Sequence, residues 1–129
     1  MKTKILLLGM LLLTSGANAT NCLNNNELVK LKDIYKGSSQ FYSRVKLDCK
    51  STNKNVQKIC ASPEQKMMAE IHLRTGVYDY ENATGTELTG KAYKAEYNSH
   101  LKGISSKVSS CSDLKSDLID LLSNSTWRD

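Results

Sequence analysis

The side chains of this chain with evident chemical potential are four cysteines, two histidines, a few carboxylates and one tyrosine-rich tetrapeptide. Cys22, Cys49, Cys60 and Cys111 are an even set at wide spacing, which suits two disulfides in an exported protein. Zinc needs ligands at close spacing, and neither His72 nor His100 has a ligand partner three or four residues further on, so no metal is expected. No Ser, Cys or Thr lies in a nucleophile motif, and no glycine-rich phosphate loop occurs. Catalytic residues and cofactors are therefore not expected. Glycoside hydrolysis needs only two carboxylates, for which Glu64, Glu70, Asp79 and Glu81 are the candidates. Acidic residues on helices are more often a solvated face. Tyr78-Asp79-Tyr80-Glu81 carries two flat amphipathic rings with few rotatable bonds, a composition that suits a protein-binding anchor. The competing reading folds both rings back over the end of the domain. Trp127, the only tryptophan, reads either as a cap on the core or as a second contact point.

The elements that must position these residues are helical. No segment sustains a period of two, and no Asn-Gly or Asp-Gly hairpin signal occurs. Asn24-Asn25-Asn26 caps a first helix whose apolar face runs through Leu28, Leu31, Ile34, Tyr35, Tyr42 and Val45. Gly37-Ser38-Ser39 predicts a kink or break in it. Cys49–Asn55 is polar and irregular, followed by a short helix over Val56–Cys60. Ser62-Pro63-Glu64-Gln65 is a helix start, with Ser62 accepting from the Gln65 backbone and the Gln65 side chain reaching back. Met67, Met68, Ile71, Thr75 and Tyr78 form the apolar stripe of that helix, and Tyr78–Gly85 reads as a link. A long helix from about Thr86 to Ser109 follows, with Tyr93, Tyr97, Leu101, Ile104, Val108 and Cys111 along one seam. Ser112-Asp113 caps a last helix that turns Leu114, Leu118, Leu121 and Leu122 inward. Those leucines could exceed what a small bundle buries, which raises the prospect of a homodimer. The fold class is all-α, a small bundle stapled by two disulfides. Pairing of 22–49 with 60–111 is favoured if the first helix breaks at Gly37, because an unbroken helix would hold Cys22 and Cys49 ~35 Å apart. The alternative is 49–60 with 22–111.

The chain has 129 residues. Residues 1–19 read as a secretory signal peptide: Lys2 and Lys4, the apolar run Ile5–Leu13, then Ala17-Asn18-Ala19 before the cut. The run is too short to span a bilayer. Residues 20–129 are expected to be one periplasmic helical domain, with no membrane contact after cleavage. The formal charge of +5 falls to +3 without Lys2 and Lys4, too mild and too dispersed to suggest nucleic-acid binding.

Asp48-Cys49 and Ile59-Cys60-Ala61-Ser62-Pro63-Glu64 resemble the LprI-type periplasmic lysozyme inhibitors, over about residues 48–80. That family carries a Gln…Trp…Arg-Asp…Cys stretch before its third cysteine, whereas Cys111 follows Val108-Ser109-Ser110, so no binding residue is carried over. An exported, compact, disulfide-paired helical domain is also similar in type to the periplasmic immunity proteins of type VI secretion systems. Both resemblances imply occlusion of a cell-wall-degrading enzyme. Strongly basic host lysozymes would favour an acidic inhibitor, so the charge points instead to a bacterial muramidase-like effector as the partner. A host-lysozyme inhibitor, and a small secreted toxin or wall hydrolase using Glu64 or Glu70, are the alternatives.

Overall fold

The computed structural model describes residues 22–127, so the expected signal peptide lies outside the described residues. Among these residues are five helices and no strand: α1 Asn25–Tyr42, α2 Lys54–Cys60, α3 Pro63–Thr84, α4 Gly90–Lys107 and α5 Cys111–Asn124. No helix among them is long and apolar enough to cross a membrane. The fold is a small all-α bundle with two disulfides, as the helical periodicities and cysteine count implied.

Four of the five helices start on a side chain that fills an orphan backbone donor. Asn24 and Glu27 form a reciprocal capping box on α1. Asn53 caps α2, Ser62 caps α3 ahead of Pro63, and Ser110 caps α5. Two details depart from the sequence reading. Ser110 caps α5 in place of Ser112, because its hydroxyl accepts from the Asp113 N–H and donates to the Asp113 carboxylate. The Gln65 side chain does not reach back to Ser62. It donates to the Val108 carbonyl at the end of α4, tying two helix termini together.

α1, α3 and α5 run parallel, and α4 returns antiparallel along α3. The order of partners shows this: Glu64 meets Cys22, Glu70 meets Tyr35 and Tyr42 meets Glu81, both numbers rising together. Against α4 the order falls, from Gln65 with Val108 to Gly76 beside His100. Leu31, Ile34, Met68, Ile71, Leu73, Ile104, Leu114 and Leu118 fill the space between the helices. Leu121 and Leu122 are half-buried against the same core. The bundle thus buries Leu114 and Leu118 fully and Leu121 and Leu122 in part.

α1 passes through Gly37 without a break. Ser38 and Ser39 donate to the Tyr35 carbonyl and keep the helix intact while presenting their oxygens to α3. The glycine is there for close approach: a Cβ at this position would collide with the Trp127 carbonyl oxygen. This overturns the favoured disulfide pairing. α1 is 18 residues long, about 27 Å, and Cys22 and Cys49 leave it from opposite ends. Cys22 instead pairs with Cys111, because the N-termini of the parallel α1 and α5 lie side by side, with Cα atoms 5.3 Å apart. Cys49 pairs with Cys60 across α2 at 5.8 Å.

Arg74, 1% exposed, is the largest fully buried side chain. Its Nε donates to the Tyr42 and Val45 carbonyls, both at 3.0 Å. One terminal nitrogen donates to Ser38 Oγ at 3.0 Å and Ser39 Oγ at 2.9 Å. The guanidinium also stacks 4.7 Å from the Tyr35 ring. α1 has no basic residue in its own last turn, so Arg74 supplies from α3 the positive charge that its C-terminal carbonyls favour.

Two outcomes follow. Arg74→Met leaves those carbonyls and hydroxyls unpaired and lowers stability by about 3–5 kcal/mol, read as a shift of the urea midpoint, while Arg74→Lys recovers only part because it lacks the planar fork. The double variant Cys22→Ser/Cys111→Ser opens a loop of 89 residues and Cys49→Ser/Cys60→Ser one of 11. By loop entropy the first loses on the order of 4–5 kcal/mol and the second about 3, so the first variant melts lower.

Candidate functional site

Where α1 and α3 end, a cleft of about 510 Å³ opens beside the C-terminal segment. Its walls come from four places. α1 contributes Gln40, Phe41 and Tyr42, the turn after it Arg44, α3 Tyr78 and Glu81, and the tail Trp127. Tyr42, Tyr78 and Trp127 pack edge to face, with centroids 5.7 Å (Tyr42–Trp127), 5.4 Å (Tyr78–Trp127) and 6.4 Å (Tyr42–Tyr78) apart. Such pairs contribute about 0.5–1.5 kcal/mol each beyond burial. The Trp127 indole donates to Thr75 Oγ1 at 3.0 Å, so the ring is held by a polar bond as well as by contact. Phe41, the exception, stands 73% exposed at the rim.

Glu81 organises the polar side of the cleft. It accepts from the Tyr42 hydroxyl at 2.7 Å, from Arg44 at 3.0 Å and from the Leu88 N–H at 2.8 Å. Partial burial works against its ionisation, but the Leu88 and Tyr42 hydrogen bonds and the Arg44 charge outweigh it and hold the carboxyl below its usual range. The same environment acts oppositely on its partner. Desolvation first, then the bond to Glu81 and its charge, push the Tyr42 hydroxyl up to about 12. Tyr42 is thus a fixed donor and Glu81 a fixed acceptor at physiological pH. Arg44 lies 5.7 Å over the Tyr42 ring and 4.0 Å from Glu87.

The tyrosine tetrapeptide is not a link. α3 continues to Thr84 and ends at Gly85, whose φ of +69° is the left-handed conformation that terminates a helix there. No proline or glycine interrupts Val77–Thr84, and the three bonds to Glu81 hold this last turn in place. A helix sends neighbours in different directions and brings positions three apart together. Tyr78 and Glu81 accordingly share the cleft with Trp127, while Asp79 faces a separate groove beside His72 and His100. Tyr80 is half-buried against the core. α4 correspondingly starts at Gly90, and Leu88 is buried in the connection.

Sequence reasoning missed Phe41, Tyr42 and Arg44 as site residues. Their signal was local: a Phe-Tyr-x-Arg run at the end of an amphipathic helix. The four carboxylates weighed for hydrolysis do not converge. Glu64, 4% exposed, accepts from the Cys22 and Leu23 N–H groups. Glu70, 1% exposed, accepts from the Tyr35 hydroxyl and the Leu47 N–H. Glu81 is paired as described, and Asp79 alone is open to solvent. His72 pairs with Asp117 and His100 with Glu96. Among the described residues, no group of three or more His, Cys, Asp or Glu side chains is placed to hold a metal ion. Comparison with known proteins returns no matching family model, no matching curated protein and no matching solved structure.

The cleft has a pH dependence of fixed sign. A carboxyl with a depressed folded-state pKa contributes stability that is present above its unfolded value, near 4.5, and is lost as pH falls through the folded value. Glu81→Gln is expected to be less stable than the native chain at pH 7, and the gap should narrow as pH is lowered through and below 4.5. Urea midpoints followed by Trp127 fluorescence across this pH range check this.

Proposed function

We propose that the protein is a non-enzymatic periplasmic inhibitor that binds a peptidoglycan-degrading, muramidase-like effector and blocks its active site, protecting the cell that makes it. The observation that carries this reading is Phe41, a fully presented aromatic ring beside Arg44 at the rim of a rigid aromatic cleft. Aromatic and arginine side chains on a well-packed support are the residues that dominate protein–protein binding energy. The two disulfides support the reading, since they suit an oxidising compartment and limit the entropy lost on binding. The burial of Glu64 and Glu70 weighs against the wall-hydrolase alternative, because both spend their oxygens on backbone and tyrosine donors.

The contact surface differs from a protruding Tyr78–Glu81 loop. In this reading Phe41 is the anchor, Arg44 the polar contact next to it, and Tyr78, Glu81 and Trp127 the packed support that fixes both. Asp79 and Tyr80 contribute nothing to this surface. A net positive mature chain gives no steering toward a strongly basic host lysozyme.

Cells lacking the protein should lyse when challenged by a sibling that delivers a wall-degrading effector, and the wild-type chain should restore survival. Phe41→Ala should weaken the inhibitor–effector complex by ~2 kcal/mol, about 30-fold, without changing the melting temperature. Equal survival with and without the protein rejects the immunity reading. Inhibition of host lysozyme in a turbidity assay would transfer the same blocking mechanism to that target.

A further inference from the structure

The cleft behind Phe41 has features that the blocking role does not require. Its charged groups are largely satisfied among themselves: Arg44 faces Glu81 at 3.0 Å and Glu87 at 4.0 Å. A cation entering the cleft meets Arg44, which already occupies the face of the Tyr42 ring. An anion meets Glu81 and Glu87. A long acyl chain would strip water from this ion-pair cluster without replacing its hydrogen bonds. The occupant that avoids all three costs is neutral, polar around its edge and flat on its faces.

The unengaged groups match that description. Tyr78 keeps its hydroxyl beside the cleft, Gln40 brings an amide that both donates and accepts, and Thr126 adds a hydroxyl. The exposed Phe41 ring offers a flat apolar platform next to them. At about 510 Å³ the space lies within the range of small-ligand sites. We infer that this cleft binds a neutral oligosaccharide, a sugar ring lying on Phe41 with its hydroxyl groups bonded to Tyr78, Gln40 and Thr126. This goes beyond the blocking role and needs no protein partner, so either can fail while the other stands.

Trp127, the only tryptophan, is part of the cleft wall and reports on it directly. Its fluorescence should change saturably when the full-length mature protein is titrated with chitotetraose or maltotetraose to about 10 mM. Phe41→Ala should abolish the response, and Tyr78→Phe, which removes a single hydroxyl, should weaken it about 3- to 10-fold. Far-UV circular dichroism identifies any variant that fails to fold. Should Phe41→Ala misfold, Gln40→Ala on the exposed face of α1 takes its place, with at least a 3-fold loss expected. No response to either sugar overturns the inference, as does a response that the folded variants leave unchanged. A stronger response to tetralysine than to both sugars also overturns it and makes the cleft a site for basic peptide segments.

Discussion

The buried Arg74 guanidinium is the interaction on which the arrangement of the other parts depends. α1 ends without a glycine cap or a basic residue in its last turn, and the chain must reverse immediately after Tyr42. An unsatisfied helix C-terminus in the interior costs about 1–3 kcal/mol for each stranded group. Arg74 meets this need from the neighbouring helix, taking one carbonyl from the end of α1 and another from the turn beyond it. Its charge is offset by those dipoles and by the Tyr35 ring. Because the turn is fixed in this way, Val45 and Leu47 enter the core, and Arg44 is left facing Glu81 at the cleft.

Arg74 is one of a series. Along the face of α3 that meets α1, Glu64, Glu70, Arg74, Tyr78 and Glu81 each reach across to a backbone group or ring of α1 or of the chain flanking it. Two parallel helices with no short connection between them are joined here by a row of polar side chains beside their shared apolar core. Such an interface contributes less net energy than apolar packing but specifies register strongly, since a one-turn slip would strand several buried groups. The two disulfides offset the thinner apolar contribution that a domain of this size can supply.

That polar face explains what could and could not be read from the residues. The helical class, the helix starts at Asn24 and Ser62 and the oxidised cysteines follow from local chemistry, and all are present. Charged residues on a helix are ordinarily solvated, so nothing in a single sequence marks Glu64, Glu70 and Arg74 as interior. The continuation of α3 through Tyr78–Thr84 depends on Leu88, Tyr42 and Arg44 converging on Glu81 from distant positions. The break expected at Gly37 failed for the same reason. Propensity sees the cost of a helical glycine, whereas the benefit is the seat it gives to the Trp127 backbone. The disulfide pairing inherited that error, since it turned on whether α1 was continuous.

The two ends of the bundle are held by different means, and this bears on where a partner can act. At one end Cys22–Cys111 locks the N-termini of α1 and α5 covalently, and Glu64 fixes the backbone of Cys22 and Leu23 beside it. At the other end the joining contacts include the packing of Tyr42, Tyr78 and Trp127, a hydrogen bond to Thr75, and the close fit at Gly37. The cleft end is thus held by packing and hydrogen bonds where the opposite end is held covalently. The Arg74 turn is held separately from the Trp127 wall, because Arg74 bonds to the Tyr42 and Val45 carbonyls and to the Ser38 and Ser39 hydroxyls and not to the tail. A ligand or partner therefore meets Phe41 and Arg44 in positions set by α1 and its terminal turn, with the Trp127 ring packed behind them against Tyr42 and Tyr78.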